Sequence, residues 1–279
     1  MERPLVLLLD NGSVQPGSTL NLRRLAKALG DASGHAIHPV SLQHANRISA
    51  EELDGRTAQI LKDFLAEQLQ LGMRNFLAIP LFFGASRALS SYIPDLTESL
   101  QSAYGPFELR LTDPLYPLPT GEPRLARILR DQLEPLISLA PRSRVILVDH
   151  GSPQPAVTEV RLRIAEELKA LLPSGVTFHQ AVMERREGEE YDFNGELLER
   201  ILEIEARGRV DTPIALSLLF ISPGRHAGQG GDIATICNSA QQRHTGLQIL
   251  ISPLVGEHPQ LIEILQDRLK NGLSAVQEA

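Results

Sequence analysis

Short apolar runs that stop at turns alternate with segments of helical period along the whole chain. Residues 5–9 (LVLLL) and 145–148 (VILV) are continuously apolar, the pattern of a strand buried on both faces of a parallel sheet. Similar runs recur at 76–83, 108–111, 214–221 and 248–251, and 176–183 (VTFHQAVM) is strand-like. Amphipathic stretches such as 51–71 and 195–206 lie between them. The alternation predicts a doubly wound α/β architecture with four strands in each half of the chain, in mainly parallel sheets flanked by helices.

The halves are copies of one another. Residues 10–29, DNGSVQPGSTLNLRRLAKAL, align without a gap to 149–168, DHGSPQPAVTEVRLRIAEEL, with nine identities in twenty, where roughly one or two would arise from composition. The register continues from Leu81 (LFFGASRALSSYIPDL) against Leu219 (LFISPGRHAGQGGDIA), and from Pro123 (PRLARILRDQL) against Pro259 (PQLIEILQDRL). Two tandem domains are expected, 1–137 and 143–279, joined by the proline-bearing segment 134–144 and paired about a pseudo-twofold in a monomer. In this alignment His150 faces Asn11 and His226 faces Ala88. The first copy therefore lacks both imidazoles, and the chemistry is sought in the second.

Composition excludes several classes. The net charge of −7, the absence of a long basic run, the absence of Trp and an aromatic content of 4% argue against a nucleic-acid surface or a base-stacking platform. No apolar run approaches the ~20 residues that cross a bilayer, and the N-terminus MERPLVLLLDNGS lacks a cleavage-site pattern. A cytoplasmic location and no membrane or nucleic-acid partner are expected. The lone Cys237 rules out an intramolecular disulfide and a cysteine-rich metal site; it is expected to pack as a small apolar residue.

Ligands of open parallel sheets bind beyond the carboxyl ends of the strands. His150 follows the run 145–148, His226 follows the run ending at 221, and Glu184 follows 176–183, so all three fall on one rim. Two imidazoles and a carboxylate suit a borderline divalent ion and leave coordination positions open. Gly224, Gly228, Gly230 and Gly231 would let backbone approach a large planar ligand. Arg225, with Arg87 at the equivalent place in the first copy and Arg185 and Arg186 after Glu184, could pair with ligand carboxylates. Each feature has a plainer reading. A histidine after a strand is often only hydrogen-bonded, MERREGEE can be a solvated loop, and the glycines can form a turn.

The segments DHGS at 149–152 and LFISPGRHAGQGGDI from Leu219 resemble the signatures of the CbiX-type sirohydrochlorin chelatases, of the class II chelatase superfamily that also holds ferrochelatase and the anaerobic cobaltochelatases. The resemblance covers essentially the whole chain as two chelatase-like copies, and its second motif is the more specific. It implies insertion of Co²⁺, Fe²⁺ or Ni²⁺ into sirohydrochlorin or a related tetrapyrrole, in biosynthesis of the siroheme or cobalamin type, with the metal as substrate and no permanently bound cofactor. It gives metal binding and removal of pyrrole protons to His150 and His226, suggests Glu184 as a further ligand, and places Ser152, Gly224, Arg225, Gly230 and Gly231 against the tetrapyrrole. A neutral histidine can serve as ligand and base, since the ordinary imidazole pKa is ~6.5. The chain departs from the pattern in two ways: the first copy cannot form the same site, and the complete copy comes second where the long CbiX-type proteins would have it first. Competing readings are a non-catalytic tetrapyrrole or metal carrier and a hydrolase built on the His-Gly-Ser turn; against the latter, the chain has no G-x-S-x-G elbow and no P-loop.

Overall fold

The structure, a computed structural model, describes residues 3–137, 143–208 and 212–277. Each repeat builds a four-stranded sheet. The first holds β1 (Leu5–Asp10), β2 (Ile37–Ser41), β3 (Asn75–Pro80) and β4 (Glu108–Leu111) in the order β2-β1-β3-β4. The second holds β5 (Arg144–Asp149), β6 (Thr177–Val182), β7 (Ile214–Leu218) and β8 (Ile249–Ile251) in the equivalent order β6-β5-β7-β8. Every pairing is parallel. The tandem, doubly wound α/β arrangement read from the sequence is the one observed.

The apolar runs become central strands because both their faces are covered. Val145 to Val148 of β5 have no exposed surface, and Val6 to Leu9 of β1 almost none. Helices α1 (Pro16–Ser33) and α5 (Pro155–Leu171) both begin with proline after an extended glutamine, Gln15 and Gln154. Proline is favoured there because its missing N–H would have had no helical partner and its φ is already helical. α1 ends at Gly34 in the left-handed region, whose N–H bonds the Gly30 carbonyl at 2.8 Å.

Some expected elements are shorter than their apolar runs. The run at 76–83 is a strand only to Pro80, and that at 214–221 only to Leu218, because the following residues leave the sheet to form the loops at its rim. The helix expected over 51–71 is broken. Asp54 and Gly55 both take positive φ, residue Ile60 bridges to Ser41, and the helix α2 occupies Leu61–Gln70. In the second repeat Leu197 bridges Val182 in the same way, so α6 spans Leu198–Gly208 rather than starting at 195. The expected linker is helical up to Ile137, within α4 (Pro123–Ile137), and β5 begins at Arg144; residues 138–142 lie outside the described residues.

The packing units divide the chain differently from the repeats. One unit is Met1–Thr120 with Ile262–Ala279; the other is Gly121–Leu261. The last helix, α8 (Gln260–Gln277), thus completes the first sheet: Arg268 donates to the Pro114 and Leu115 carbonyls, and a Cβ on Gly272 would lie 2.7 Å from Thr112. α4 completes the second, where the Gln132 amide donates to Leu254 O at 2.8 Å. The second core gathers Ile146, Val148, Leu202, Leu216 and Ile233. Cys237 packs in it, and burial pushes its thiol up to about 12, which makes it an inert apolar residue.

One aspartate ends each central strand, and the two are treated differently. Asp149 meets Arg161 of α5 at 3.3 Å; burial raises its pKa and the guanidinium opposes the rise. At the Arg161 position the first repeat has Leu22. Asp10 is left with hydroxyl and amide donors, its Oδ1 has no hydrogen-bond partner, and burial pushes its carboxyl up to about 6. A carboxyl raised on folding favours the protonated native state, so this stabilisation is full below the unfolded value of 3.8 and is lost as pH rises through about 6. The ionised form costs on the order of 3 kcal/mol. Asp10→Asn is therefore expected to raise the stability of the protein at pH 7–8 by an amount of that order and to leave it nearly unchanged at pH 4. Urea unfolding across this range checks it; equal effects at both ends would contradict the assignment.

Candidate active site

The second unit assembles its candidate groups through main-chain pairing that continues past the ends of β5 and β6. Met183 N–H donates to Asp149 O at 2.8 Å and Glu184 N–H to His150 O at 3.1 Å. Gly151, at φ +89°, lies so close to the neighbouring chain that a Cβ there would stand 2.0 Å from the Glu184 carbonyl oxygen. His150 and Glu184 are consequently side by side, with Nε2 3.3 Å from Oε1.

A buried polar network holds the turn that carries His150. Asn194 clamps Ser152 from both sides, accepting its N–H at 2.9 Å and donating to its carbonyl at 2.8 Å. Thr158 also donates to Asn194, and Arg161 joins the Asn194 carbonyl at 2.7 Å to Gln180 at 2.8 Å and to Asp149. Ser152 Oγ accepts the Gln154 N–H at 3.1 Å and so shapes the entry to α5.

His226 arrives from the loop after β7. That loop folds on itself: Gly228 N–H bonds Gly224 O at 2.9 Å, and Ile233 N–H bonds His226 O at 3.1 Å. A Cβ at Gly228 would lie 2.6 Å from the Gly224 oxygen, and one at Gly231 2.6 Å from the Arg225 oxygen. These glycines are required by the loop's own carbonyls. Gly230 has positive φ with open space around it. The loop ends at α7 (Asp232–Arg243), and Asp232, in its first turn, accepts His226 Nδ1 at 2.7 Å.

The imidazoles meet edge to face, with ring centroids 4.6 Å apart and planes at 77°. Each Nδ1 faces an oxygen: the Gly151 carbonyl at 3.0 Å for His150, the Asp232 carboxylate for His226. Those oxygens accept, so each Nδ1 donates; the Nε2 of His226 then keeps its lone pair, while the Nε2 of His150 faces the Glu184 carboxylate. A carboxylate behind a ligating histidine fixes the tautomer and raises its strength as a donor. His150, Glu184 and His226 are all partly exposed, at 46%, 61% and 29% of their side chains. Among the described residues no three His, Cys, Asp or Glu side chains stand as a group ready to enclose a metal ion. The site is a contacting pair of histidines, each with its own carboxylate.

The arginines are differently placed. Arg185 pairs with Asp192 at 2.9 Å and Arg186 lies over the Tyr191 ring, 5.7 Å from its centroid, so both are engaged by their own loop. Arg225 is largely exposed, 3.7 Å from Asp232. In the first unit, Asn11, Gln43, Arg87 and Ala88 line one pocket of about 380 Å³. The positions aligned with the two histidines converge there as well. Sequence reading missed Asp232, Asn194, Arg161 and Asp149. Asp232 had a signal, an acid opening a helix directly after Gly-Gly; the other three had none, because their partners come from distant segments.

The fold is that of known chelatases. The chain superposes on SirB from Bacillus subtilis with Fe³⁺ at a TM-score of 0.72 and 12% identity, covering 99% of this chain and 98% of that one. The sirohydrochlorin chelatase SirB from Bacillus subtilis subspecies spizizenii in complex with cobalt gives 0.66 at 14% identity, over 98% and 96% of the two chains. CbiX, described as the terminal enzyme for biosynthesis of siroheme in denitrifying bacteria, gives 0.59 at 17%, over 96% and 99%. These likenesses show a chelatase-like fold. Residues 144–272, within the second repeat, match the CbiX family model. No curated protein sequence matches the chain, and among the described residues no helix is long and apolar enough to cross a membrane.

The Gly151 contact generates a test. Ala at Gly230 should cost about 1–2 kcal/mol, for left-handed backbone alone. Gly151→Ala carries the same strain and must also push away a main-chain carbonyl, adding about 1–3 kcal/mol. Urea unfolding should rank the two variants in that order, and equal losses would contradict the packing at the turn.

Proposed function

We propose that the protein inserts a divalent metal ion into a tetrapyrrole of the sirohydrochlorin type, with the second repeat as its catalytic part. The contact between His150 and His226, each ring oriented by an oxygen at its Nδ1, carries this reading. Insertion requires that a metal be held by ligands it can leave and that two pyrrole N–H protons be accepted as two metal–nitrogen bonds form. His150 and His226 supply two such ligands and two bases. The 3.3 Å gap between His150 Nε2 and Glu184 Oε1 attracts a cation, and Asp232 strengthens His226 as a donor. A site of paired rather than enclosing ligands suits a metal that is substrate, because an ion held by a closed set would not be released to the macrocycle. The chelatase fold and the CbiX match of residues 144–272 support the same assignment.

In this reading Arg225 faces substrate carboxylates, and Ser152, Gly224, Gly230 and Gly231 shape the backbone against which the macrocycle rests. Co²⁺, Fe²⁺ and Ni²⁺ all suit the N and O donors. The protein acts without a resident cofactor, as a monomer located in the cytoplasm, in a pathway of the siroheme or cobalamin type.

The purified protein mixed with sirohydrochlorin and each of the three ions should change the tetrapyrrole absorption faster than the spontaneous reaction. His150→Ala and His226→Ala should fall to the spontaneous rate, Asp232→Asn by about 10–100-fold, and Asn11→Ala far less. Tight sirohydrochlorin binding with no acceleration for any ion would replace this reading with that of a carrier.

A further inference from the structure

The first unit contains a cavity of about 930 Å³ between α1, β2 and the loop at 55–59. Its apolar wall includes Leu22 and Pro39, its rim carries Arg23, Arg24, Lys27 and Arg56, and no Asp or Glu lines it. In a chain of net charge −7 that concentration of cations requires an account. Arg23 is fixed rather than solvated: its guanidinium donates to the Leu53 and Arg56 carbonyls at 2.8 Å and to Thr57 O at 3.0 Å. Carbonyls satisfy its N–H groups without neutralising its charge. The nearby carboxylates stand outside the lining, Asp31 paired with Lys27 and Asp54 beside Arg23.

The second repeat shows why space remains here. At the equivalent place Arg161 fills the gap and bonds Gln180, Asn194 and Asp149. Strand register sets Pro39 opposite Gln180, and the bridges Ser41 to Ile60 and Val182 to Leu197 set Thr57 opposite Asn194. With Leu22 in place of Arg161, the first repeat lacks the buried guanidinium that occupies this place in the second. Two of the charges are also particular to the first repeat, since Arg23 and Lys27 align with Leu162 and Glu166, while Arg24 has a counterpart in Arg163.

We propose that this cavity binds a small organic anion with an apolar body, its hydrocarbon part against Leu22 and Pro39 and its acidic group at the Lys27 and Arg56 rim. A binding cavity of this kind has apolar walls and a few convergent charges that orient the ligand. The site belongs to the first unit and does not depend on the function proposed for the histidines of the second.

Titration with 8-anilinonaphthalene-1-sulfonate, an aromatic body with one anionic group, tests it by fluorescence. Saturable one-site binding is expected, displaced by octanoate, weakened by salt, and not displaced by inorganic phosphate at the same concentration. Lys27→Glu/Arg56→Glu changes only exposed side chains and should weaken binding at least tenfold; His150→Ala/His226→Ala should leave it unchanged. Leu22→Arg/Pro39→Gln, with folding checked by circular dichroism, should fill the cavity as in the second repeat and remove binding. No binding by the wild type, wild-type affinity in the charge-reversed variant, or equal displacement by phosphate would overturn the proposal. If the cavity-filling pair fails to fold, the charge-reversed variant still decides.

Discussion

Both repeats depend on one close approach, that of a glycine to a main-chain carbonyl at the carboxyl end of the central strand. In the first, a Cβ at Gly12 would stand 1.8 Å from Gln43 O; in the second, one at Gly151 would stand 2.0 Å from Glu184 O. Main-chain bonds from Leu42 to Asp10 and from Met183 to Asp149 continue the pairing beyond the strands. A side chain at either glycine would part those segments, and the residue after β5 would no longer meet the residue after β6. The turn is therefore a requirement of the backbone before it is one of chemistry. That explains why the first repeat keeps it while carrying Asn11 in place of a histidine.

On this shared backbone the repeats have diverged in where they place charge. The second uses Arg161 to neutralise Asp149 and to tie Asn194 to the turn, making a rigid support for His150. The first has Leu22 at that position, so Asp10 is buried without a counter-ion and Leu22 becomes part of the wall of a cavity. Its positive charge has moved outward by one helical position, to Arg23, which holds the loop at 53–57 by carbonyls alone. One repeat has invested its polar groups in positioning, the other in a cationic rim.

In the glycine-rich loop two of the glycines answer to the packing of the loop itself. Its glycines suggest room for a planar ligand, yet Gly228 and Gly231 are needed because the loop's own carbonyls crowd them. The compact loop sets His226 six residues before Asp232, and the helix beginning there brings the carboxylate back to Nδ1. Gly228 and Gly231 serve the histidine by letting the loop close.

The architecture was legible in the sequence because central strands of a parallel sheet are covered on both faces and must be apolar throughout, as residues 5–9 and 145–148 are. The strand assignment then placed His150, His226 and Glu184 on one rim, since the carboxyl ends of parallel strands share an edge. The helix expected over 51–71 failed because left-handed residues at Asp54 and Gly55 interrupt an otherwise helical period. Sequence could not show which last helix completes which sheet, as α4 and α8 are apolar on one face alike and only packing assigns them. Nor could it find Asp232 as the partner of His226, or Arg161, Asn194 and Asp149 as one network. Periodicity records what a residue's neighbours along the chain require of it, whereas a hydrogen bond between Arg161 and Asn194, 33 positions apart, exists only once the backbone has closed.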